Sequence, residues 1–197
     1  MKLNKVADAD FPNRFGHFRI YGFEGVRPAG VEEAVVLRLG DISGEESAPL
    51  VRIHSQCLTG DVFHSLRCDC RSQLELALDQ IVAEGRGLLI YEHQEGRGIG
   101  LLNKLRAYEL QDQGLDTVEA NVELGFKPDL RDYALPAAIL LYFNVMQVRL
   151  LSNNPEKVAA LENAGIKVVE RAPIIAPPVE TTREYMKTKR EKMGHLF

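Results

Sequence analysis

The residues of this chain most able to hold a metal ion are its three cysteines, Cys57, Cys68 and Cys70, which lie within 14 residues of one another. Their spacing, Cys-x10-Cys-x-Cys, suits a zinc ion, for which thiolates are common ligands. Structural zinc usually has four protein ligands, whereas catalytic zinc has three and leaves its fourth position for water or substrate. An odd number of cysteines therefore favours a catalytic site.

Two other interpretations of the cysteines remain open at the level of sequence. A fourth ligand from His54 or His64 would complete the tetrahedron and make the zinc structural. The second interpretation is that the three residues bind no metal and are ordinary buried thiols, since free cysteine packs in proteins as a small apolar side chain.

A glycine-rich segment, Gly96-Arg97-Gly98-Ile99-Gly100, follows a short apolar run and precedes a helical pattern. Glycines let backbone N–H groups approach a phosphate closely, and the start of a helix adds partial positive charge. Arg97 could add a bidentate contact to a phosphate. The alternative is a glycine-rich turn with a surface arginine.

Asn154-Pro155 predicts the start of another helix, with asparagine at the N-cap and proline in the first turn. Lys157 then falls in the first helical turn, where a cation is mildly unfavourable. A bound anion would reverse that cost, and the simpler interpretation is a surface lysine.

Two carboxylates flank one arginine in the segment Asp129-Leu130-Arg131-Asp132-Tyr133. The segment is either a helix start with a local ion pair or a cluster that handles phosphate and protons. A protonated guanidinium is a poor nucleophile, because its pKa exceeds about 12. The physics therefore favours Arg131 as a phosphate clamp, and a nucleophilic role would need an adjacent base such as Asp129.

Residues 49–55 predict a strand that leads into Cys57. Alternation along a strand sends Arg52, His54 and Gln56 to one face and Ile53 and Ser55 to the other. His54 is either a site residue or a core histidine with its hydrogen bonds satisfied.

Strands alternate with helices along the chain. The apolar patterns predict strands at 16–23, 33–41, 49–55, 88–91, 147–151 and 166–169. They predict helices from residue 74, from 101, over 131–143, from 155 and over about 181–196. We therefore expect a single α/β domain over 1–197, with a mixed sheet, flanking helices, an antiparallel N-terminal portion and a C-terminal helix. Ligands should bind at the carboxyl ends of the parallel strands.

Composition limits the class of protein. The formal net charge of −4 argues against a general nucleic-acid binder. No apolar run reaches the roughly 18 residues that a membrane span needs, and the N-terminus has no apolar core of signal-peptide type. We therefore expect a cytoplasmic protein without nucleic-acid or membrane partners, in which thiols stay reduced and can hold metal.

Several stretches, in collinear order over most of the chain, together resemble the GTP cyclohydrolase II family. The stretches are RIHSQCLTGDVFHSLRCDC, QEGRGIGLLNKLRAYELQDQGLDTVEAN, LGFKPDLRDY, VRLLSNNPEK and YMKTKREKMGHL. The resemblance implies a homodimeric hydrolase that converts GTP to 2,5-diamino-6-(5-phosphoribosylamino)pyrimidin-4(3H)-one, formate and pyrophosphate, the first step of riboflavin biosynthesis.

The same resemblance implies roles for particular residues. The three cysteines would hold one Zn²⁺ per subunit, which activates the water that attacks C8 of guanine. Tyr108 would assist ring opening, and Arg131 would be the nucleophile on the α-phosphate with Asp129 as proton acceptor. Mg²⁺ would accompany the triphosphate. The implied nucleotide contacts are Arg52, Ile53, His54, Ser55, Gln56, Gln73, Glu95, Gly96, Arg97, Thr117, Ser152 and Lys157.

The chain also departs from the family pattern beside the cysteines. Gln56 stands where the family usually has glutamate, and Arg71 stands where it usually has glycine. These departures motivate a second hypothesis, a paralogue that stops at a formamidopyrimidine nucleotide or acts outside riboflavin synthesis. A third hypothesis is a non-catalytic zinc- and nucleotide-binding module.

Overall fold

A computed structural model of the chain describes residues 1–28, 30–43 and 48–176. In these residues a mixed sheet of seven strands has the order β1-β2-β3-β5-β4-β6-β7. The strands are β1 (Lys2–Pro12), β2 (His17–Arg27), β3 (Gly30–Leu39), β4 (Leu50–Ser55), β5 (Gly87–Glu92), β6 (Gln147–Leu151) and β7 (Lys167–Ala172). The fold is α/β with a mixed sheet and flanking helices, as the sequence predicts.

The first three strands form the antiparallel half of the sheet. β1 pairs with β2, β2 with β3, and β3 with β5, all antiparallel. The predicted antiparallel N-terminal portion is therefore confirmed. β1 itself was not predicted, because residues on both of its faces are exposed or half-buried and leave no apolar alternation to read. Pairing with β2 holds it in place.

The other half of the sheet is parallel. β4 pairs with β5 and with β6, and β6 pairs with β7. Parallel strands need crossover connections, which the helices supply. The carboxyl ends of β4, β5 and β6 therefore meet at one edge, where Cys57, the glycine-rich turn and Asn154 follow directly.

Helices cover the sheet and deliver the candidate site residues. Their bounds are α1 (Leu58–Asp61), α2 (Cys70–Glu84), α3 (Leu101–Asp112), α4 (Thr117–Glu123), α5 (Ala134–Tyr142) and α6 (Pro155–Asn163), with a 3₁₀ turn at Glu95–Gly98. Asn154 caps α6 as predicted, since its side chain accepts a hydrogen bond from the backbone N–H of Glu156 at 2.9 Å. In the described residues no helix is long and apolar enough to cross a bilayer.

α5 begins three residues later than the predicted helix 131–143. The Asp132 carboxylate accepts a hydrogen bond from the backbone N–H of Ala134 at 2.7 Å, so the helix starts there. Arg131 consequently lies in the loop before α5. Arg27, at the end of β2, donates hydrogen bonds to both carboxylate oxygens of Asp132 at 3.0 and 2.9 Å and ties this loop to the antiparallel half.

Apolar side chains fill both faces of the sheet. One cluster packs β2 to β6 against α5 and α6 and contains Ile53, Ile90 and Leu150. The second packs α2 against the opposite face around Leu89 and Ile81. The predicted helix at 181–196 lies outside the described residues.

Candidate metal centre and pocket

One pocket opens at the carboxyl edge of the parallel strands. All but two of the predicted site residues line it: Arg52, His54, Ser55, Gln56, Cys57, Cys68, Cys70, Gln73, Glu95, Gly96, Arg97, Tyr108, Thr117, Arg131, Ser152 and Lys157. The exceptions are Ile53, whose side chain is fully buried in the core, and Asp129, which lies behind Arg131. The structure thus brings together groups from separate parts of the chain.

The three cysteines converge on one point. Their Sγ atoms all lie within 4.8 Å of one another, and those of Cys57 and Cys68 are 3.7 Å apart. Tetrahedral zinc with Zn–S bonds of about 2.3 Å separates its sulfur ligands by about 3.8 Å, so the thiols fit a zinc ion. Gly60 leaves this space open, because a Cβ there would meet the Cys68 Sγ at 2.8 Å.

Neither histidine joins the cysteines. In the part of the chain that the structure describes, the group with metal-binding geometry consists of the three thiols. The Nε2 atom of His54 lies 3.2 Å from both oxygens of Asp61, and its ring stacks on Tyr91. Asp61 in turn accepts a hydrogen bond from the backbone N–H of Cys57 at 3.0 Å. His54 therefore supports from behind the segment of residues 57–61, here called the metal loop.

The three thiols differ in their pKa values. Hydrogen bonds from Cys68 and Cys70 hold the pKa of the Cys57 thiol well below its ordinary value. The hydrogen bond to Cys57 raises the pKa of Cys68 to about 11, and a hydrogen bond to Cys57 also raises the pKa of Cys70 well above its ordinary value. A divalent cation in this position would deprotonate all three thiols, as metals do when they coordinate cysteine.

Lys104 lies beside the cluster and is a residue that the sequence analysis missed. Its Nζ donates to the Cys57 Sγ at 3.1 Å and to a Glu95 oxygen at 2.7 Å. Burial lowers the pKa of Lys104, but the Cys57 thiolate and Glu95 outweigh burial and raise it. A signal was present in the sequence, since Lys104 and Tyr108 are four residues apart and share one face of α3.

Tyr108 points its hydroxyl toward the metal loop. The Oη atom lies 3.2 Å from Thr59 Oγ1, and the Arg67 guanidinium stands 4.8 Å from the ring centroid. Burial raises the pKa of Tyr108, so its hydroxyl stays protonated at neutral pH. The side chain therefore offers a proton beside the thiol cluster.

The glycine-rich turn directs Arg97 into the pocket. Arg97 adopts a positive φ of 61°, and Gly98, with a φ of 91°, packs so closely on Leu130 that a Cβ would meet that side chain at 3.0 Å. Both terminal nitrogens of Arg97 are buried without a hydrogen-bond partner in the described residues. Such donors are costly to leave unpaired, so this guanidinium is prepared for an acceptor that enters the pocket.

Lys157 is buried, which contradicts the simpler interpretation of a surface lysine. It is only 4% exposed, and its Nζ donates to the carbonyl of Ile53 at 2.8 Å. Burial, followed by the charges of Arg52 and Arg131, lowers the pKa of Lys157 well below its ordinary value. An anion in the pocket would relieve this repulsion.

Asp129 holds Arg131 in a two-pronged contact. Arg131 Nε lies 3.0 and 3.1 Å from the two carboxylate oxygens, and its Nη2 lies 2.5 Å from one of them. Burial raises the pKa of Asp129, but hydrogen bonds from Arg131 and its charge outweigh burial and lower it. This geometry is compatible with Arg131 as a phosphate clamp that Asp129 orients. It is equally compatible with Arg131 as a nucleophile that loses a proton to Asp129.

Arg52 and Gln73 bind each other as well as lining the pocket. Arg52 donates to Gln73 at 2.8 Å and to the carbonyl of Leu151 at 2.9 Å, and burial lowers its pKa to about 10. Ser152 is likewise engaged, since it accepts the backbone N–H of Asn154 at 3.1 Å. These side chains shape the pocket wall whether or not they contact a ligand.

Arg71, one of the two departures, contacts the metal loop. Its Nη1 donates to the carbonyl of Asp61 at 2.7 Å, and its Nε donates to Glu75 at 2.8 Å. It therefore fastens the end of α1 to the first turn of α2. Gln56, the other departure, lines the pocket beside Cys57.

The mixed sheet, the thiol cluster and the arginine- and lysine-lined pocket define an α/β protein with a candidate catalytic metal centre. A model of the GTP cyclohydrolase II family matches residues 4–173. Proteins named GTP cyclohydrolase-2 from Proteus mirabilis, Klebsiella pneumoniae and Escherichia coli are 55% identical over all 197 residues and are covered over 98%, 97% and 99% of their own lengths. The chain belongs to the GTP cyclohydrolase II family and is an enzyme of the hydrolase class.

Among solved structures, a two-domain 3,4-dihydroxy-2-butanone 4-phosphate synthase from A. baumannii aligns with 89% of this chain and 40% of its own. The TM-score is 0.42 and the identity is 17%. No part of the family assignment depends on this similarity.

Proposed function

We propose that this enzyme hydrolyses GTP to 2,5-diamino-6-(5-phosphoribosylamino)pyrimidin-4(3H)-one, formate and pyrophosphate, the first step of riboflavin biosynthesis. One observation carries the proposal beyond family membership: a thiol cluster and several buried cations line the same pocket. A purine with a triphosphate needs both, because ring opening requires an activated water and the phosphates require positive charge.

Cys57, Cys68 and Cys70 would hold one Zn²⁺ per subunit. When bound, zinc supplies Lewis acidity and makes water a better nucleophile toward C8 of guanine. Tyr108, whose protonated Oη lies within hydrogen-bond distance of Thr59 Oγ1, would give a proton to the ring nitrogen that leaves C8.

The phosphate end of the pocket would be formed by Arg97, Lys157 and Arg131. The unpaired nitrogens of Arg97 and the lowered pKa of Lys157 both favour an anionic ligand. Arg131 would contact the α-phosphate, either as a clamp or as a nucleophile that loses a proton to Asp129. Mg²⁺ would accompany the triphosphate and offset part of its charge.

The test is to incubate zinc-loaded protein with GTP and Mg²⁺ and to assay formate, pyrophosphate and the ultraviolet spectrum of the product together. We expect both small products and a pyrimidine-type spectrum. Pyrophosphate without formate would identify the paralogue with partial chemistry, which Gln56 and Arg71 motivate. Turnover no greater than that of metal-stripped protein would favour the non-catalytic binding module. Homodimer formation, cytoplasmic location and the absence of nucleic-acid and membrane partners stay predictions.

A further inference from the structure

Lys104 is fixed between the thiol cluster and the glycine-rich turn. Its Nζ is 3.1 Å from the Cys57 Sγ and 2.7 Å from Glu95 Oε1. The side chain of Lys104 is 12% exposed and that of Glu95 is 8% exposed. The same Nζ lies 5.8 Å from the ring centroid of Tyr108, one turn further along α3. A shielded cation therefore touches a metal-binding sulfur.

Glu95 orients this cation. Glu95 Oε1 accepts hydrogen bonds from Lys104 Nζ and from the backbone N–H of Gly96, the latter at 2.9 Å. Glu95 Oε2 accepts a hydrogen bond from the backbone N–H of Leu58 at 2.7 Å. Leu58 directly follows the ligand Cys57. The carboxylate thus joins the metal loop to the glycine-rich turn and holds the ammonium against sulfur.

Three thiolates around Zn²⁺ leave the centre with a net negative charge, and strong donation from sulfur weakens the metal as a Lewis acid. A hydrogen bond from a cation withdraws electron density from the sulfur that accepts it. We propose that Lys104 is a positioning residue of the metal centre, which donates to Cys57 Sγ and thereby raises the Lewis acidity of the bound zinc. This inference rests on the zinc dependence in the proposed function.

The test uses cobalt in place of zinc, because the sulfur-to-cobalt charge-transfer band reports the electron density on the thiolates. In Lys104→Met, which keeps an unbranched side chain but neither the charge nor the donor, we expect this band to move to lower energy at unchanged cobalt content. With zinc, kcat for formate release should fall about 10- to 100-fold, the usual cost of losing such a contact.

Lys104→Arg keeps the positive charge and should return the band toward its position in the unaltered protein. Lys167→Met is the matched control, since Lys167 is exposed on β7, and it should change neither band nor rate. A Lys104→Met band that coincides with that of the unaltered protein would overturn the inference.

If Lys104→Met does not take up cobalt, the cobalt bands of Lys104→Gln and Lys104→Arg are compared instead. Arginine keeps the positive charge at position 104, and glutamine does not. Bands at different energies support the inference, and bands at one energy overturn it. Failure of the proposed function gives a different result: the unaltered protein would then lack GTP turnover or show no thiolate-to-cobalt band, whatever the variants do.

Discussion

At the scale of single residues, the pocket concentrates buried positive charge, and carboxylates pair with only part of it in the described residues. Lys157 is buried and its ammonium donates to a carbonyl, and in the described part of the chain two buried nitrogens of Arg97 have no hydrogen-bond partner. Burying charge in this manner lowers stability and is typical of functional sites. The ligand-free enzyme should therefore carry strain that an anion relieves.

Lys157→Met should stabilise the ligand-free protein by about 1–3 kcal/mol, because burial and the charges of Arg52 and Arg131 disfavour the Lys157 ammonium more than the nearby carboxylates favour it. The folded-state pKa of Lys157 is lowered, so the unfolded chain binds more protons, and this residue makes stability rise with pH between the folded-state pKa and 10.5. The variant should lose that slope. Denaturant unfolding at a series of pH values measures both effects.

The same variant should bind GTP more weakly, measured by titration calorimetry. A variant that is less stable than the unaltered protein at neutral pH, or that binds GTP equally well, would contradict the account of Lys157 as an anion-binding residue.

Arg131→Ala separates the two roles open to this arginine. As a nucleophile, its loss should abolish pyrophosphate release and leave GTP binding measurable. As a clamp that binds ground state and transition state equally, its loss should raise KM and leave kcat nearly unchanged. Steady-state kinetics of pyrophosphate release distinguish the two. Arg106→Ala, on the exposed face of α3, is the matched control and should change neither constant.

At the scale of elements, the metal loop is a short helix, α1, held against the start of α2. Gly60 is packed between sulfur atoms, so Gly60→Ala should displace the thiols. We expect zinc content to fall well below one per chain, measured by atomic absorption. Gly22→Ala is the control, because a Cβ at Gly22 meets nothing within 4 Å. Full zinc occupancy in Gly60→Ala would contradict the close packing at this site.

Arg71 fastens α1 to α2 through a carbonyl and a half-exposed carboxylate. Its removal in Arg71→Ala should cost no more than about 1 kcal/mol of unfolding free energy, since exposed ion pairs contribute little. The rate at which a chelator removes zinc should nevertheless rise, because the loop opens more readily. Equal rates of zinc loss in the variant and the unaltered protein would show that the contact does not hold the loop.

At the scale of the whole molecule, the sequence predicted the elements with strong apolar periodicity and the loops with distinctive residues. The parallel strands, α2 and α6 were of this kind, whereas most of the residues around the pocket were named by the resemblance to the GTP cyclohydrolase II family. β1 was missed because its stability depends on pairing with β2 rather than on its own pattern. α4 was missed although Asp116 and Glu119 form a capping box, since the helix is short.

Spatial contacts between distant segments were beyond the sequence. The spacing of Lys104 and Tyr108 places both on one face of α3, but nothing in the sequence indicates that Lys104 contacts Cys57 or that His54 contacts Asp61. Such contacts arise only when the loops of different strands meet. The burial of Lys157 was also missed. The first turn of a helix is usually exposed, and the sequence does not indicate that other segments cover this one.

Among the residues that the structure describes, those that line the pocket all lie at position 52 or later, so the antiparallel half of the sheet supplies none of them. It nevertheless pairs with one edge of β5, by way of β3. It also holds the loop that contains Arg131, because Arg27 donates a hydrogen bond to Asp132. Excising residues 1–40 would leave β5 as a bare apolar edge, the kind of surface at which chains aggregate. A shortened version of this enzyme that still folds must therefore keep three strands that contribute no described residue to the pocket.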